Sequence, residues 1–413
     1  MIRTVIAILF ASLLTACAQS RDQLAPFEAR LEALLTGEDE MLRPVPGAAV
    51  AVWRDGEIIW SHAVGAAVFG EDGMTVQRPL TPQSSLRVAS ISKLVTALTA
   101  LRLAEDGLVE LDADVSGVLG FDLPVQPGGA PVTLGALLSH TSGICDPAVY
   151  WAAAGDTLQA LLTGDATCPY PPGEGWRYAN INYGLAAQVM EIAAQERFDR
   201  LAASHVLTPM GLDAGFNWSG VSRVTRQNGA TLHRWSNGAW VPQVDDRDTL
   251  SETRPAILRR DGEDVAVDAP QSFDNGTLFS PQGGLRASVE DLAILVSAFL
   301  PGGMGDALGE PVWTGEEAMG VRAYGRGPRV LLPGQIASHP DLRFVGHAGE
   351  AYGLYGGAWA LPDRGATVAF FVTGVDPESD LSRDPVSGFT RYEAVLMSIA
   401  LDALDRFSST GEM

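Results

Sequence analysis

The chain has 413 residues, 46% of them hydrophobic and 19% charged, which is the composition of a folded globular protein and excludes a largely disordered one. Its formal net charge of −22 at pH 7 excludes nucleic acid as an expected partner, because nucleic-acid binding needs a basic surface. The same acidity repels anionic lipid headgroups, so a basic patch is not expected to hold the protein on a membrane.

The N-terminus has the pattern of an export signal. The basic start Met1-Ile2-Arg3 precedes an apolar run from Val5 to Leu14, which is shorter than a membrane span. Leu14-Thr15-Ala16-Cys17 resembles a bacterial lipobox, whose cysteine is lipidated. We therefore expect a signal peptide over residues 1–16, a lipid on Cys17 as the only membrane contact, and a tether with an N-terminal helix over 17–40. An ordinary secreted protein or an uncleaved anchor is the alternative.

A β-hairpin and then a helix are predicted next. Gly47 to Trp53 and Glu57 to Val64 flank the turn Arg54-Asp55-Gly56. After them, a helix begins at Ser90 and ends near Gly107, and its apolar face is formed by leucines and a valine at helical spacing.

Lys93 is the only lysine among the 28 basic residues, and it lies three positions after Ser90 in Ser90-Ile91-Ser92-Lys93. On a helix these two side chains are neighbours on one face. A buried ammonium can lose its proton whereas a guanidinium cannot, so the pair predicts a serine nucleophile with lysine as its proton acceptor. A nucleophile at a helix N-terminus also lies near free backbone N–H groups that can bind an oxyanion. Serine is so common that Ser-x-x-Lys alone is a weak signal.

Cys145 and Cys168 are the two cysteines that remain after Cys17. An even pair in an exported protein predicts a disulfide, and two reduced buried thiols are the alternative. The six histidines are scattered without paired spacing, so no metal site is predicted.

The rest of the chain predicts helices in the middle and strands near the end. Helical stretches such as Tyr183 to Phe198 and Val289 to Leu300 are separated by loops rich in glycine and proline. A second hairpin, Tyr355 to Leu361 and Ala366 to Val372, precedes a helix from Tyr392 to Phe407. We therefore predict an α+β fold in one domain over residues 41–407. Its antiparallel sheet is built from both chain ends and flanked by helices, and a mainly helical subdomain is inserted between them.

Three short motifs in a fixed order carry a family resemblance. Ser90-Ile91-Ser92-Lys93 is followed by Tyr178-Ala179-Asn180 and later by His347-Ala348-Gly349. This order resembles the penicillin-recognising serine hydrolases, above all the class C β-lactamases with the related DD-peptidases, D-aminopeptidases and esterases. The likeness spans roughly residues 45–400, and further segments agree with it: Leu138 to Gly143, Pro172-Gly173, Pro209 to Leu212 and Pro281 to Leu285.

The resemblance implies a β-lactamase/transpeptidase-like fold and a serine acyl hydrolase. Such an enzyme cleaves an amide or ester bond of a small molecule or peptide through an acyl-enzyme, without a metal or organic cofactor. The signal peptide and lipobox predict that it works on the periplasmic side of a bacterial membrane. A β-lactamase is one alternative. The other, from a different class, is a non-catalytic sensor that binds peptidoglycan fragments or penicillin. The oligomeric state is not predicted.

The resemblance also assigns roles. Ser90 is the expected nucleophile, and Lys93 accepts or shuttles its proton. Tyr178 becomes a useful base only beside a cation, since the pKa of a phenol is about 10, and Asn180 is expected to hold Lys93 and the substrate amide. Tyr183 with the preceding Asn182 is a competing pair, but only Tyr178 follows the Pro-Gly segment.

The third motif narrows the substrate. The resemblance implies an oxyanion hole from the backbone N–H groups of Ser90 and Glu350 on an edge strand, with Gly349 allowing close approach of the substrate. His347 and Ala348 stand where β-lactamases usually have lysine and threonine, which weakens the binding of a carboxylate. Peptide or ester substrates are therefore favoured, unless another arginine restores the charge: Arg286, Arg322 or Arg343.

Two other features are interpreted more simply. His140, followed by Thr-Ser-Gly, is more typical of a structural loop histidine than of the base in a Ser-His-Asp triad. The segment from about Asn217 to Phe279 contains Trp218, Trp235 and Trp240, which either shape the mouth of the substrate site or pack a subdomain.

Overall fold

The computed structural model describes residues 24–37, 42–152, 155–243, 257–260, 263–266, 272–317 and 320–410. The predicted signal peptide over 1–16 and Cys17 lie outside these residues. Within the predicted tether, residues 24–36 form a helix, α1. In the described part of the chain, no helix has the length and apolarity needed to cross a bilayer.

One antiparallel sheet of nine strands organises the molecule. In chain order the strands are β1 Gly47–Arg54, β2 Glu57–Phe69, β3 Val76–Pro79, β4 Trp313–Glu317, β5 Val321–Tyr324, β6 Arg329–Leu331, β7 Phe344–Ala351, β8 Leu354–Leu361 and β9 Ala366–Val372. Their order in the sheet is β4-β5-β6-β7-β8-β9-β1-β2-β3. Strand β1 pairs with β9, from Ala48 opposite Val372 to Arg54 opposite Ala366, so the two predicted hairpins lie side by side. The predicted sheet from both chain ends is confirmed.

Helices cover both faces of this sheet. The longer ones after α1 are α2 Ser92–Glu105, α3 Ile181–Ala194, α4 Val289–Val296 and α5 Arg391–Thr410. Side chains alternate between the two faces of a strand. In β1, Val50 and Val52 therefore pack with α1 and α5 in one hydrophobic cluster, whereas Ala49 and Ala51 belong to the cluster of α2, α3 and α4. The cluster of α2, α3 and α4 also contains Ala89 and Ile91, so Ser90 lies in the layer of the molecule on this face of the sheet.

Shorter elements complete the described chain. The short helices are Ser116–Leu119, Leu134–Leu138, Phe198–Ala202 and Arg223–Asn228, with a π-helical turn at Ala203–Leu207. The 3₁₀ turns are Ala89–Ile91, Leu158–Leu161, Gly164–Ala166, Ser297–Phe299, Asp306–Gly309 and Pro362–Arg364. Small sheets pair Leu86–Arg87 with Arg286–Ala287, His233–Ser236 with Ala239–Pro242 and Gly374–Val375, and Ile257–Arg260 with Glu263–Ala266. The region between the two hairpins is thus mainly helical, as the sequence predicts.

The predicted disulfide is present. Cys145 and Cys168 are bonded, with their Cα atoms 5.2 Å apart. The two chain segments that contain these cysteines are also joined by backbone hydrogen bonds, from Cys145 N–H to Ala166 O at 2.8 Å and from Cys168 N–H to Gly143 O at 3.0 Å. The crosslink therefore closes a loop whose two ends are already aligned.

Removal of this crosslink is expected to lower stability. A double variant, Cys145→Ala with Cys168→Ala, should lose about 3 kcal/mol of the free energy of unfolding, because the unfolded chain regains the entropy of an open loop of this size. Urea unfolding measures the loss. Dithiothreitol should destabilise the wild type by a similar amount and leave the double variant unchanged. Equal stability of wild type and variant would contradict the prediction.

Candidate active site

Ser90 lies in the 3₁₀ turn Ala89–Ile91, directly before helix α2. The preceding residue, Ala89, has a backbone φ of +50°, a left-handed conformation that a residue with a Cβ rarely adopts. Such strain costs about 1–3 kcal/mol and persists where the surrounding structure fixes the backbone. The next residue, Ser90, lines a cavity of about 720 Å³.

The amine of Lys93 is fully buried and has three polar neighbours. Its Nζ atom lies 3.2 Å from Ser90 Oγ, 2.9 Å from Asn180 Oδ1 and 2.9 Å from the backbone oxygen of Gln282. Burial lowers the pKa of Lys93 to about 7, and the negative charge of Asp146 opposes this shift. A substantial fraction of Lys93 is therefore an uncharged amine at neutral pH.

Tyr178 completes the contacts of the serine. Its phenol donates a hydrogen bond of 2.8 Å to Ser90 Oγ, and Lys93 Nζ lies 4.8 Å from the centre of its ring. Burial raises the pKa of Tyr178 and outweighs the hydrogen bond to Ser90, which lowers it, so the group is a neutral phenol at rest. The competing Tyr183 points elsewhere, because its hydroxyl donates to the backbone oxygen of Leu138 at 2.8 Å.

Asn180 is held from its far side by Asp146. Its Nδ2 atom donates to Asp146 Oδ2 at 3.0 Å, and the backbone N–H of Ile181 donates to Asp146 Oδ1 at 2.8 Å. No motif of the sequence indicates a role for Asp146 or Gln282 in the site. Gln282 contributes a backbone oxygen, which any residue type could supply, so the sequence gives no signal for it. The only sequence signal for Asp146 is its position next to Cys145.

The third motif lies on β7, which is an interior strand and not the predicted edge strand. However, β6 pairs with β7 only from Phe344 to Gly346, so from His347 onward β8 is the sole ladder partner of β7 among the described strands. A Cβ on Gly349 would lie 2.5 Å from Val88 O, so the need for glycine comes from the protein's own backbone beside Ser90 rather than from a substrate.

His347 is a neutral imidazole. Burial, and then the charge of Lys93, lower the pKa of His347 to about 3. Its Nδ1–H is directed at the backbone oxygen of Ala348, and its Nε2 accepts from the Tyr324 hydroxyl at 2.9 Å. The imidazole therefore offers no positive charge to a ligand, in agreement with the weaker carboxylate binding predicted from the sequence.

The charged groups of the cavity differ from those proposed from the sequence. The described arginines that line it are Arg87, Arg234, Arg329 and Arg383. None of the three arginines suggested earlier has this position: Arg286 donates to the backbone oxygens of Phe216 and Gly284, and Arg322 and Arg343 pair with Glu316 and Glu310. Glu350 also lines the cavity, and its carboxylate binds Arg383 and the Tyr355 hydroxyl.

His140 has a structural position. Its Nδ1 accepts the backbone N–H of Ala179 at 3.1 Å, and its ring lies 4.5 Å from the ring of Tyr178. Burial lowers the pKa of His140 well below its usual value, so the ring is neutral. The tryptophans of the following region mainly pack: Trp218 and Trp240 are buried, and Trp235 contacts Trp240 edge to face at 5.0 Å.

A serine that shares hydrogen bonds with a lysine amine and a phenol, beside a cavity and a helix-covered antiparallel sheet, has the arrangement of acyl-enzyme serine hydrolases. The family model described as Beta-lactamase matches residues 34–389. The chain therefore belongs to the beta-lactamase family, as its three motifs indicate.

Relatives within this family have different activities. Esterase EstB of Burkholderia gladioli is 29% identical over 373 residues, which cover 81% of this chain and 87% of the esterase. The D-aminopeptidase of Gluconobacter oxydans (strain 621H) is 32% identical over 201 residues, 45% of this chain and 35% of the peptidase. Penicillin-binding protein 4 of Amycolatopsis lactamdurans is 30% identical over 193 residues, 46% of this chain and 48% of that protein. The matches thus span half or less of the last two relatives.

Solved structures share the fold. The D-amino acid amidase from Ochrobactrum anthropi SV3 superposes with a TM-score of 0.64 at 16% identity, over 94% of this chain and 100% of the amidase. The octameric penicillin-binding protein homologue from Pyrococcus abyssi has a TM-score of 0.64 at 20% identity, over 92% of this chain and 77% of its own. The predicted β-lactamase/transpeptidase-like fold is confirmed.

Proposed function

We propose that the protein hydrolyses an amide or ester bond through an acyl-enzyme formed on Ser90. The observation that carries this proposal is the set of three neighbours around the Lys93 amine. An uncharged amine has two N–H groups and one lone pair. Asn180 Oδ1 and the Gln282 backbone oxygen, both acceptors, take the two N–H groups, so the lone pair faces Ser90 Oγ.

This arrangement supports general-base catalysis by Lys93. Ser90 gives its proton to the lone pair as its oxygen attacks the carbonyl carbon, and Lys93 becomes an ammonium. Tyr178, a neutral phenol beside the same oxygen, is placed to protonate the leaving group and to regain a proton from Lys93. A water molecule then attacks the acyl-enzyme by the reverse sequence of proton transfers.

The backbone beside Ser90 supports an oxyanion site. We propose that the N–H groups of Ser90 and Glu350 bind the oxygen that becomes negative during attack. Both residues line the cavity, and β7 passes close to Val88 at Gly349. The strand has no second ladder partner among the described strands in this stretch, which leaves that side of its backbone to a substrate.

A peptide or ester is the proposed substrate class, and a β-lactam is the less favoured one. The reason is the third motif, where a neutral imidazole and the methyl group of Ala348 replace a cation and a hydroxyl. The similarity to an esterase and a D-aminopeptidase is in line with this order.

A labelling experiment with a substrate panel tests the proposal. A fluorophosphonate probe should modify one residue per chain, and peptide mapping should identify it as Ser90. Turnover of a p-nitrophenyl ester and of a D-amino acid p-nitroanilide is compared with that of nitrocefin, and kcat/KM should be higher for the ester or the anilide. Labelling of another residue would contradict the mechanism. Labelled Ser90 without turnover of any substrate would favour the sensor.

A further inference from the structure

We propose that Asp146 is a positioning residue that fixes the orientation of the Asn180 amide and so keeps the lone pair of Lys93 directed at Ser90. The inference rests on the proposed function, since it concerns the same base. It adds a residue that does not itself line the cavity but contacts the lining residue Asn180, and through that contact determines what Lys93 can accept.

The orientation follows from which atoms can donate. A carboxylate only accepts hydrogen bonds, so the end of the Asn180 side chain that faces Asp146 must be its NH₂ group. The other end, Oδ1, then faces Lys93 Nζ and takes one of its N–H groups. With the amide reversed, an NH₂ group would point at Lys93 and compete with Ser90 for the lone pair.

Asp146 itself is fixed by the surrounding chain. Its second oxygen accepts the backbone N–H of Ile181 at the start of α3. The residue before it, Cys145, is held by the disulfide and by the backbone bond to Ala166. The carboxylate is thus anchored at both of its oxygens and at the chain that carries it, which suits a group whose task is to orient a neighbour.

Asp146 also acts on Lys93 through its charge. Its negative charge favours the ammonium form and opposes the larger effect of burial. The other groups that face Lys93 are uncharged at neutral pH: His140 after the short helix Leu134–Leu138, His347 on β7, Tyr178 and Asn180 before α3, and Tyr183 on α3.

The variant Asp146→Asn changes the orientation of the Asn180 amide and removes the negative charge, while it keeps nearly the same side-chain size and packing. If the Oδ1 atom of the new amide accepts the Ile181 N–H, its NH₂ group faces the NH₂ group of Asn180, and this clash favours reversal of Asn180. The reversed amide presents a donor to Lys93, and the negative charge is gone. Both changes disfavour the ammonium, so the pKa of Lys93 falls below that of the wild type. A purely structural role for Asp146 would not produce this shift.

The test uses the single lysine of the chain. Lysine labelled with ¹³C at Cε gives one NMR signal in the full chain, and this signal titrates with Lys93. We expect a midpoint at about 7 in the wild type and a midpoint lower by about 1 in Asp146→Asn. In kinetic assays, kcat should fall about 10- to 100-fold through loss of positioning, and the acidic limb of kcat/KM should move to lower pH.

The matched control is Asp165→Asn, an exposed aspartate in the same disulfide loop, which should keep the wild-type midpoint. An unchanged midpoint in folded Asp146→Asn would overturn the proposal. If that variant does not fold, Asp146→Ser is measured instead, since it removes the charge and keeps an acceptor for Ile181. The titration needs no turnover, so it tests Asp146 even if the proposed hydrolase activity is wrong.

Discussion

Replacement of Ser90 by alanine is expected to reduce kcat/KM for the best substrate of the panel by at least about 10⁴-fold, as for other serine nucleophiles. The variant removes the oxygen that forms the acyl-enzyme and leaves Lys93 and Tyr178 without a shared partner. Fluorophosphonate labelling should disappear with the activity. The fold should remain, because within the described residues Ser90 Oγ makes hydrogen bonds with these two side chains alone.

A surface serine provides the matched control. Ser338 Oγ lies 3.0 Å from His339 Nδ1, and His339 Nε2 lies 3.0 Å from Asp405 Oδ2. The three residue types are those of a Ser-His-Asp triad, but the two ring nitrogens are exchanged relative to a catalytic one. They lie outside the cavity that Ser90 faces. Ser338→Ala should therefore keep full activity. If Ser338→Ala lost activity and Ser90→Ala kept it, Ser338 and not Ser90 would be the nucleophile.

The second large effect is expected for Lys93→Arg, with a loss of about 10³-fold in kcat/KM. Arginine keeps the positive charge but cannot release its proton in a protein, so a base at this position is lost. The larger guanidinium must also fit a fully buried site. Steady-state kinetics from pH 5 to 9 measure the effect.

The pH dependence distinguishes a base from a fixed charge. In the wild type, kcat/KM should rise with pH through about 7, because only the deprotonated amine accepts the serine proton. This limb should be absent from the residual activity of Lys93→Arg. Lys93→Arg could instead keep more than about a tenth of the wild-type kcat/KM and the same rise of kcat/KM with pH. Lys93 would then act through its charge, and another group would be the base.

The sequence predicted the centre of the candidate site because the information lay in side chains and their order. Ser90, Lys93, Tyr178 and Asn180 meet within hydrogen-bond distance, and the hairpins at both chain ends form one sheet. Strands β1 and β9 are recognisable as short apolar runs beside turn residues, since nearly all of their residues are buried and several are β-branched or aromatic.

Other parts were not predictable for physical reasons. Strand β4 is exposed along most of its length and contains two glutamates, so it lacks the alternation that identifies a strand. It became a strand because it pairs with β5. Asp146 acquires its importance only when the fold brings Asn180 to it. The arginines of the cavity come from distant segments, and no spacing in the chain indicates which of them converge.

The position of β1 in the sheet has a consequence for the order in which the molecule forms. Its two neighbours are β2, which follows it directly, and β9, which lies near the opposite end of the chain. The first hairpin therefore keeps one open side until residues 366–372 pair with it. Contacts between such remote segments are slow to form. The layer that contains Ser90 packs on the sheet that the pairing of β1 with β9 completes. A truncated product that ends before β9 would therefore lack part of the sheet that supports its active site.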